Sequence, residues 1–145
     1  MKKIILIIIA LFLSTYSNGQ QIFSNGNYTV EEEQLGFNYK GEYAGFFDGG
    51  MTYFEAIIFD VHKCFFSKTV IVKGSVVEKY SQEFAFYAHG FIGKRSDKKV
   101  DFLRSFKLKD NEKFKVKVKP NEKIYFEYVG YSTLELIVLK SSVVK

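Results

Sequence analysis

Three residues with metal-binding or nucleophilic chemistry stand at alternate positions in one apolar segment: Asp60, His62 and Cys64. On a β-strand their side chains would project from one face, with successive Cα atoms about 6.5 to 7 Å apart. Such a row could begin a metal site or a Cys-His pair, and His89, the only other histidine, could complete it. Zinc needs several protein ligands, and a catalytic thiol needs a base within hydrogen-bond reach. Because a free cysteine is commonly a small buried hydrophobe and the flanking residues are valine and phenylalanine, the pattern favours a core strand.

A second chemically capable set is a series of lysines between residues 107 and 119, mostly at alternate positions. On a hairpin they would form one basic face, which could hold an acidic surface such as lipopolysaccharide or an anionic glycan. The commoner explanation is a solvated sheet face, on which lysine also discourages edge-to-edge aggregation. The solvated face is favoured, and binding is kept as a hypothesis. The residues are Lys107, Lys109, Lys113, Lys115, Lys117 and Lys119.

Aromatic residues are concentrated before residue 55, where they could form a sugar-stacking platform beside Asp48. The candidates are Tyr39, Tyr43, Phe46, Phe47, Tyr53 and Phe54. However, the chain has no tryptophan, and its single cysteine excludes an intramolecular disulfide. A core without disulfides must rely on packing, and each ring buries roughly 150 to 250 Å². The rings are therefore expected to pack in the core.

The sequence contains none of the familiar catalytic or nucleotide-binding motifs: no G-x-S-x-G elbow, H-E-x-x-H, P-loop or dinucleotide fingerprint. We therefore expect a protein that is not an enzyme and uses no cofactor. The rival hypothesis is a small metal-dependent or Cys-His hydrolase that uses Asp60, His62, Cys64 and His89.

Residues 1–19 have the layout of a secretory signal peptide. Lys2 and Lys3 give a positive start, residues 4–13 are an uninterrupted apolar run, and residues 14–19 form a short polar tail. A bilayer-spanning helix needs about 20 apolar residues, so we expect cleavage after Gly19 and no transmembrane segment in the mature chain. Cleavage lowers the formal charge from +5 to +3, and this mild basicity, together with export, argues against a nucleic-acid partner. The expected location is periplasmic or secreted.

Turn signals and apolar patterning predict strands in the first half of the mature chain. Asn25-Gly26 between two apolar segments predicts a first hairpin, although Thr29 and Glu32 could also cap one helical turn over 31–34. Residues 36–50 are rich in glycine and aromatic residues, which suits tight turns. Residues 51–66 and 68–73 are interpreted as strands.

Residues 75–89 allow two interpretations. Ser75 and Glu78 could start a helix that stops at Gly90. The same segment also fits a strand over 72–79, a turn over 80–83 and a strand over 84–89, and we favour this second interpretation. The charged residues 93–99 are predicted to form an exposed loop.

Beyond residue 100 the alternation is regular. The alternation in residues 102–109 and 113–119 predicts a hairpin with one solvent-exposed face. Pro120-Asn121 predicts a turn. Strands over 124–128 and 134–138, separated by a Gly-Tyr-Ser-Thr corner, form the predicted final hairpin.

The stretch KDNEKFKVKVKPNEKIYFEYVGYSTLELIV, residues 109–138, resembles the C-terminal half of a carboxypeptidase regulatory-like domain, a transthyretin-like β-sandwich of exported proteins. VIVKGSVVEK, residues 70–79, is similar to the strand that opens such domains. The resemblance implies a sharp turn at Gly130, a Tyr131 ring packed beneath it, and a folding or interaction module without catalysis. It divides the chain into a signal peptide (1–19), a β-rich extension packed on the domain (20–69) and the sandwich itself (70–145).

These observations predict one all-β domain, a Greek-key β-sandwich of roughly seven to nine strands. Residues 20–145 are enough for one domain with a substantial core. The expected role is that of an exported, non-catalytic module that binds a protein or glycan partner at the cell envelope.

Overall fold

The computed structural model describes residues 19–38, 42, 52–65, 67–85, 87–97 and 99–141. This part of the chain contains nine strands, a 3₁₀ turn at Asp110–Glu112 and no α-helix. The strands are β1 (Gln20–Ser24), β2 (Tyr28–Gln34), β3 (Phe54–Lys63), β4 (Val70–Glu78), β5 (His89–Ser96), β6 (Lys99–Phe106), β7 (Lys113–Val118), β8 (Lys123–Glu127) and β9 (Leu134–Lys140). Most of the predicted signal peptide, residues 1–18, lies outside the described residues.

The strands form two antiparallel sheets. One has six strands in the order β1-β2-β9-β8-β5-β6, and the other has three in the order β3-β4-β7. One cluster of buried side chains joins both sheets, with Val30 and Leu136 from the large sheet and Val72 and Val116 from the small one. The predicted all-β sandwich is therefore confirmed.

Alternation along single strands explains which side chains form the core. On β7, Phe114, Val116 and Val118 are buried, whereas the lysines between them are exposed. Phe114 packs against Phe126 of the opposite sheet, with ring centroids 5.1 Å apart. Period-two patterning of this kind places one face of a strand against the core and the other in water.

The connections interlock the two sheets. The chain passes from the small sheet to the large one between β4 and β5, and again between β7 and β8. β4 pairs with β7 in the small sheet, while β5 pairs with β8 in the large one. Crossings of this kind are the Greek-key connections of β-sandwiches.

The turns separate into two ends of the sandwich, because every paired strand is antiparallel to its neighbour. Turns after β1, β3, β5 and β7 lie at one end, called the odd-turn end, and turns after β2, β4, β6 and β8 lie at the even-turn end. Two hydrogen bonds tie the sheets together at these ends. Asn25 Nδ2 donates to the Val61 carbonyl at 2.7 Å, and Gln34 Nε2 donates to the Phe54 carbonyl at 2.6 Å.

The first hairpin is confirmed. β1 and β2 pair directly, with Gly26 at a φ of +89° in the turn and the Asn25 side-chain oxygen accepting from the Tyr28 amide at 2.8 Å. The alternative of a helical turn over 31–34 is wrong, because β2 continues to Gln34 and pairs with β9 along its whole length.

The strand interpretation of the segment after residue 72 is confirmed as far as Glu78, where β4 ends. A second strand over 84–89 is wrong. Phe84 makes only an isolated bridge to Val77, and β5 begins at His89.

Two predicted connections are also wrong. Residues 93–99 are not a loop, because β5 extends to Ser96 and β6 begins at Lys99. β6 and β7 do not form a hairpin, since β6 pairs with β5 and β7 pairs with β4 in the other sheet. Their connection crosses between the sheets instead. The final hairpin is confirmed by the direct pairing of β8 with β9.

The strands before residue 70 belong to the same two sheets as those after it. β2 pairs with β9 over seven residue pairs, and β3 pairs with β4 over nine. Residues 20–34 and 54–63 thus contribute hydrogen-bonded strands to both layers of the sandwich.

Candidate functional site

The structure does not bring the four residues of the rival hydrolase hypothesis together. His62 Nδ1 lies 2.7 Å from Asp60 Oδ2, in a pair whose side chains are 45% and 47% exposed. Cys64 follows the end of β3, and its amide donates to the Thr69 carbonyl at 2.8 Å. His89 stands in the other sheet at the even-turn end, 3.2 Å from Glu127. Within the described ranges, no three His, Cys, Asp or Glu side chains are grouped so that they could hold a metal ion.

The six sequence-predicted lysines separate into three groups. Lys113, Lys115 and Lys117 are exposed on the outer face of β7. Lys107 and Lys109 lie in the connection that precedes this strand, where the Lys109 amide donates to the Lys113 carbonyl at 2.8 Å. Lys119 follows β7 and lines a pocket at the odd-turn end. The structure therefore contains a smaller basic face than the predicted hairpin would have had.

A lysine of the neighbouring strand completes this face. Lys73 of β4 is directly opposite Lys115, and on its other side it is opposite Asp60. The set Lys73, Lys113, Lys115 and Lys117 is called the lysine face below. Among the carboxylates whose side chains the structure describes, which do not include Asp110, none lies within 4 Å of any of these four ammonium groups.

The electrostatics of the lysine face disfavour the unliganded sheet. Directly opposite side chains on paired strands have Cβ atoms about 4.5 to 5.5 Å apart, and like charges at this distance destabilise the pairing. Lys73 and Lys115 have this arrangement. Asp60, which is opposite Lys73 on β3 and hydrogen-bonded to His62, offsets only part of the repulsion. A bound anion would relieve the repulsion.

A pocket of about 500 Å³ opens at the odd-turn end, between the strand ends of the two sheets. Its apolar walls come from Tyr28, Val138 and Leu139 of the large sheet and from Val70 and Val118 of the small one. Pro120 and Asn121 form the predicted turn at its rim, with Asn121 at a φ of +70°. This region is called the end pocket below.

Four further lysines line the end pocket: Lys63, Lys68, Lys119 and Lys140. The pocket has one acid, Glu122, which accepts two hydrogen bonds of 2.9 Å from Arg104 and one from the Lys119 amide. The hydrogen bond from Arg104 lowers the pKa of Glu122, so this carboxylate is ionised and already paired. The four lysines have no carboxylate of the described chain within 4 Å.

The predicted corner lies at the opposite, even-turn end. Gly130 has a φ of +83°, a backbone conformation that favours glycine. The Tyr131 ring stacks on Phe54 with centroids 4.5 Å apart, and the Glu78 carboxylate accepts from the hydroxyls of Tyr131 and Tyr87 at 3.1 and 2.7 Å. Burial raises the pKa of both phenols, so they stay protonated as donors.

Of the six rings proposed as a sugar-stacking platform, two lie within the described residues. Phe54 is fully buried beneath Tyr131 and belongs to the core. Tyr53 packs edge-on against Tyr80, and the Lys79 ammonium lies 5.8 Å from the Tyr53 ring centroid. Tyr39, Tyr43, Phe46, Phe47 and Asp48 lie outside the described residues.

Sequence reasoning missed Lys73 and the three pocket lysines at 63, 68 and 140. These residues come from β4, from the end of β3 and its turn, and from the end of β9. No spacing along the chain links them. Only the strand register places Lys73 beside Lys115, and only the sheet order places β9 near the β3–β4 turn.

Comparison with protein-family models, curated proteins and solved structures finds no match to this chain. In the part of the chain that the structure describes, no helix is long and apolar enough to cross a membrane. Function must therefore be inferred from the two lysine-rich sites themselves.

Proposed function

We propose that this protein is an exported, non-catalytic β-sandwich that binds an acidic glycan of the cell envelope through its lysine face. The observation that supports this most directly is the opposition of Lys73 and Lys115 on paired strands, within a face of four lysines that has one cross-strand acid, Asp60, opposite it. Such an arrangement destabilises the free sheet, and a ligand that carries negative charges would offset this cost.

The geometry of the lysine face favours a glycan over a protein partner. Protein interfaces are enriched in aromatic residues and arginine and depleted in lysine. Here the exposed side chains of β7 are lysines two residues apart, so their attachment points repeat about every 6.5 to 7 Å. A regular row of flexible ammonium groups suits the repeating carboxylates or sulfates of an acidic polysaccharide.

Two sequence features support export. Residues 1–19 have the charge and apolar pattern of a signal peptide. The likeness of residues 70–139 to a carboxypeptidase regulatory-like domain agrees with a binding module outside the cytoplasm, in the periplasm or beyond.

The site geometry supports a role without catalysis. The Asp60-His62 pair is half exposed to solvent, and Cys64 and His89 are separated by the length of the sandwich. A general base acts only within hydrogen-bond reach of the group it deprotonates.

The test is binding of the chain 20–145 to polygalacturonate, with the neutral polymer dextran as a second ligand. We expect binding to polygalacturonate alone, weakened by salt because exposed charges are screened. The double variant Lys115→Glu/Lys117→Glu should lose at least about tenfold in affinity, equivalent to about 1.4 kcal/mol. The matched control, Lys107→Glu/Lys109→Glu, makes the same charge change outside the lysine face and should bind nearly as well as the wild type.

Three results would contradict the proposal. Equal losses in both double variants would show that net charge alone drives binding. Equal affinity for dextran would show that charge is irrelevant. Preferential binding to polyglutamate over polygalacturonate would indicate an acidic protein as the partner.

A further inference from the structure

The end pocket is separate from the lysine face and differs from it in chemistry. The lysine face is an exposed sheet surface, whereas the end pocket is a concave space between the two sheets. Its volume of about 500 Å³ is within the usual range of small-molecule sites, roughly 300 to 1,000 Å³. It can therefore enclose part of a ligand.

The inner walls of the end pocket are mainly aliphatic. Val70 and Val118 are opposite each other on β4 and β7, and Val138 and Leu139 belong to β9 on the other side. Among the described lining residues, Tyr28 and Asn121 carry the neutral polar side chains. The valine and leucine side chains between the sheets suit a hydrocarbon segment.

The positive charges of the end pocket come from both sheets. Lys63 and Lys68 belong to the small sheet and its turn, Lys119 follows β7, and Lys140 ends β9. Glu122 is bound to Arg104 and offsets only part of this charge, since one carboxylate lies among four lysines of the described lining. Lysine binds carboxylate and phosphate as a point charge, without the fixed fork geometry of arginine.

We propose that the end pocket binds an anionic amphiphile, with its hydrocarbon segment between the two sheets and its carboxylate or phosphate head against the lysines. The apolar walls and the excess of ammonium groups act on different parts of the same ligand. Both parts are therefore needed for tight binding. The proposal does not depend on glycan binding at the lysine face.

The experiment measures binding of four probes to the chain 20–145 by isothermal titration calorimetry, each below its micelle concentration. Laurate and dodecyl phosphate carry both parts of the proposed ligand. Inorganic phosphate carries only the negative charge, and dodecyl maltoside carries only the hydrocarbon segment with an uncharged head group. We expect both anionic amphiphiles to bind at least about 100-fold more tightly than either single-part probe, because apolar burial and charge pairing each contribute.

Variants locate the site. Lys119→Glu/Lys140→Glu should weaken laurate binding at least about tenfold, since it places two carboxylates beside the head group. Lys113→Glu/Lys115→Glu changes the charge by the same amount on the lysine face, farther from Lys119 along β7, and should leave laurate affinity within about twofold of the wild type. Leu139→Asn, in a half-exposed wall, should weaken laurate while leaving inorganic phosphate unchanged. Thermal unfolding of each variant checks that it remains folded.

Equal binding of dodecyl maltoside and laurate would overturn the proposal, because the pocket would then be a plain apolar groove. Equal binding of inorganic phosphate and dodecyl phosphate would reduce it to a simple anion site. Unchanged laurate affinity in Lys119→Glu/Lys140→Glu would place the ligand elsewhere. Loss of glycan binding with intact laurate binding would contradict only the function proposed for the lysine face.

Discussion

Glu135 is a charged side chain that the structure buries completely, on the outer face of the six-stranded sheet. Its carboxylate accepts from Arg95 at 2.9 Å and from the Tyr125 hydroxyl at 2.8 Å, and Lys123 Nζ lies 3.5 Å away. Burial raises the pKa of Tyr125, so the phenol remains a donor. Buried charges persist in proteins only when they are paired and hydrogen-bonded, and Glu135 meets this condition.

Removing Arg95 should therefore destabilise the fold strongly. We expect Arg95→Met to cost about 3 to 5 kcal/mol in the free energy of unfolding, since it leaves the Glu135 charge buried with weaker compensation. The double variant Arg95→Met/Glu135→Leu should be more stable than Arg95→Met alone, because it removes the uncompensated charge. Urea unfolding measures both effects.

The control is Asp60→Asn. Asp60 is also paired, with His62, but both side chains are about half exposed, 47% and 45%. Surface ion pairs contribute about 1 kcal/mol or less, so this variant should stay near the wild type. A loss in Asp60→Asn as large as that in Arg95→Met would show that burial of the Glu135 network does not set the cost.

Sequence patterning could not predict the Glu135 network. In Leu134, Glu135 and Leu136 the alternation correctly separates two faces, and it assigns the glutamate to the outer one. It does not show that Phe91, Val100 and Tyr125 cluster in a second buried patch on that outer face. Burial of a face depends on what lies over it, which is information that one strand does not carry.

At the scale of strands, alternation identified β7, β8 and β9 but not the partner of β7. A hairpin turn and a crossing between sheets about 10 Å apart can have the same length, so residues 107–112 fit either connection. The lysine face was predicted only in part for the same reason. Its members on β7 follow from spacing, whereas Lys73 follows from register.

Gly90 on β5 illustrates how the strands fit one another. It is opposite Phe106 on one side and Phe126 on the other, and a Cβ atom at Gly90 would overlap the Phe106 ring. We expect Gly90→Ala to cost about 1 to 3 kcal/mol by overpacking. Thermal unfolding measures the loss as a lower melting temperature.

A second substitution distinguishes this mechanism from a backbone effect. Phe106→Leu makes room for the added methyl group, so the double variant should lose less stability than the sum of the two single variants. Strict additivity would contradict steric overlap as the cause.

At the scale of the whole molecule, the sandwich draws on residues before and after position 70. Phe54 and Val61 of β3 and Val30 of β2 are buried in the shared core. The expectation that residues 20–69 form an extension and 70–145 the sandwich came from resemblance in the second part alone. The pairing of β2 with β9 and of β3 with β4 had no signal in either segment.

We therefore expect the fragment 70–145 not to fold by itself. Loss of the Phe54 side chain alone should lower the free energy of unfolding by about 3 to 5 kcal/mol. The total free energy of unfolding of an ordinary domain is about 5 to 15 kcal/mol. The fragment also lacks one of the two strand partners of β9 and one of the two partners of β4. Circular dichroism and amide dispersion in NMR spectra measure whether the fragment 70–145 is folded, with the chain 20–145 as the control. A cooperative unfolding transition in the fragment would support an independent domain.

The interlocked pairing of β4 with β7 and of β5 with β8 also affects the time at which the protein can fold. During synthesis β4 and β5 leave the ribosome well before β7 and β8. The small sheet is complete only after Val118, and the large sheet only after β9 ends at Lys140. Pairings between strands distant along the chain form slowly. The nascent polypeptide therefore cannot complete its core before Lys140 has emerged, and until then its state is compatible with passage through a secretion channel.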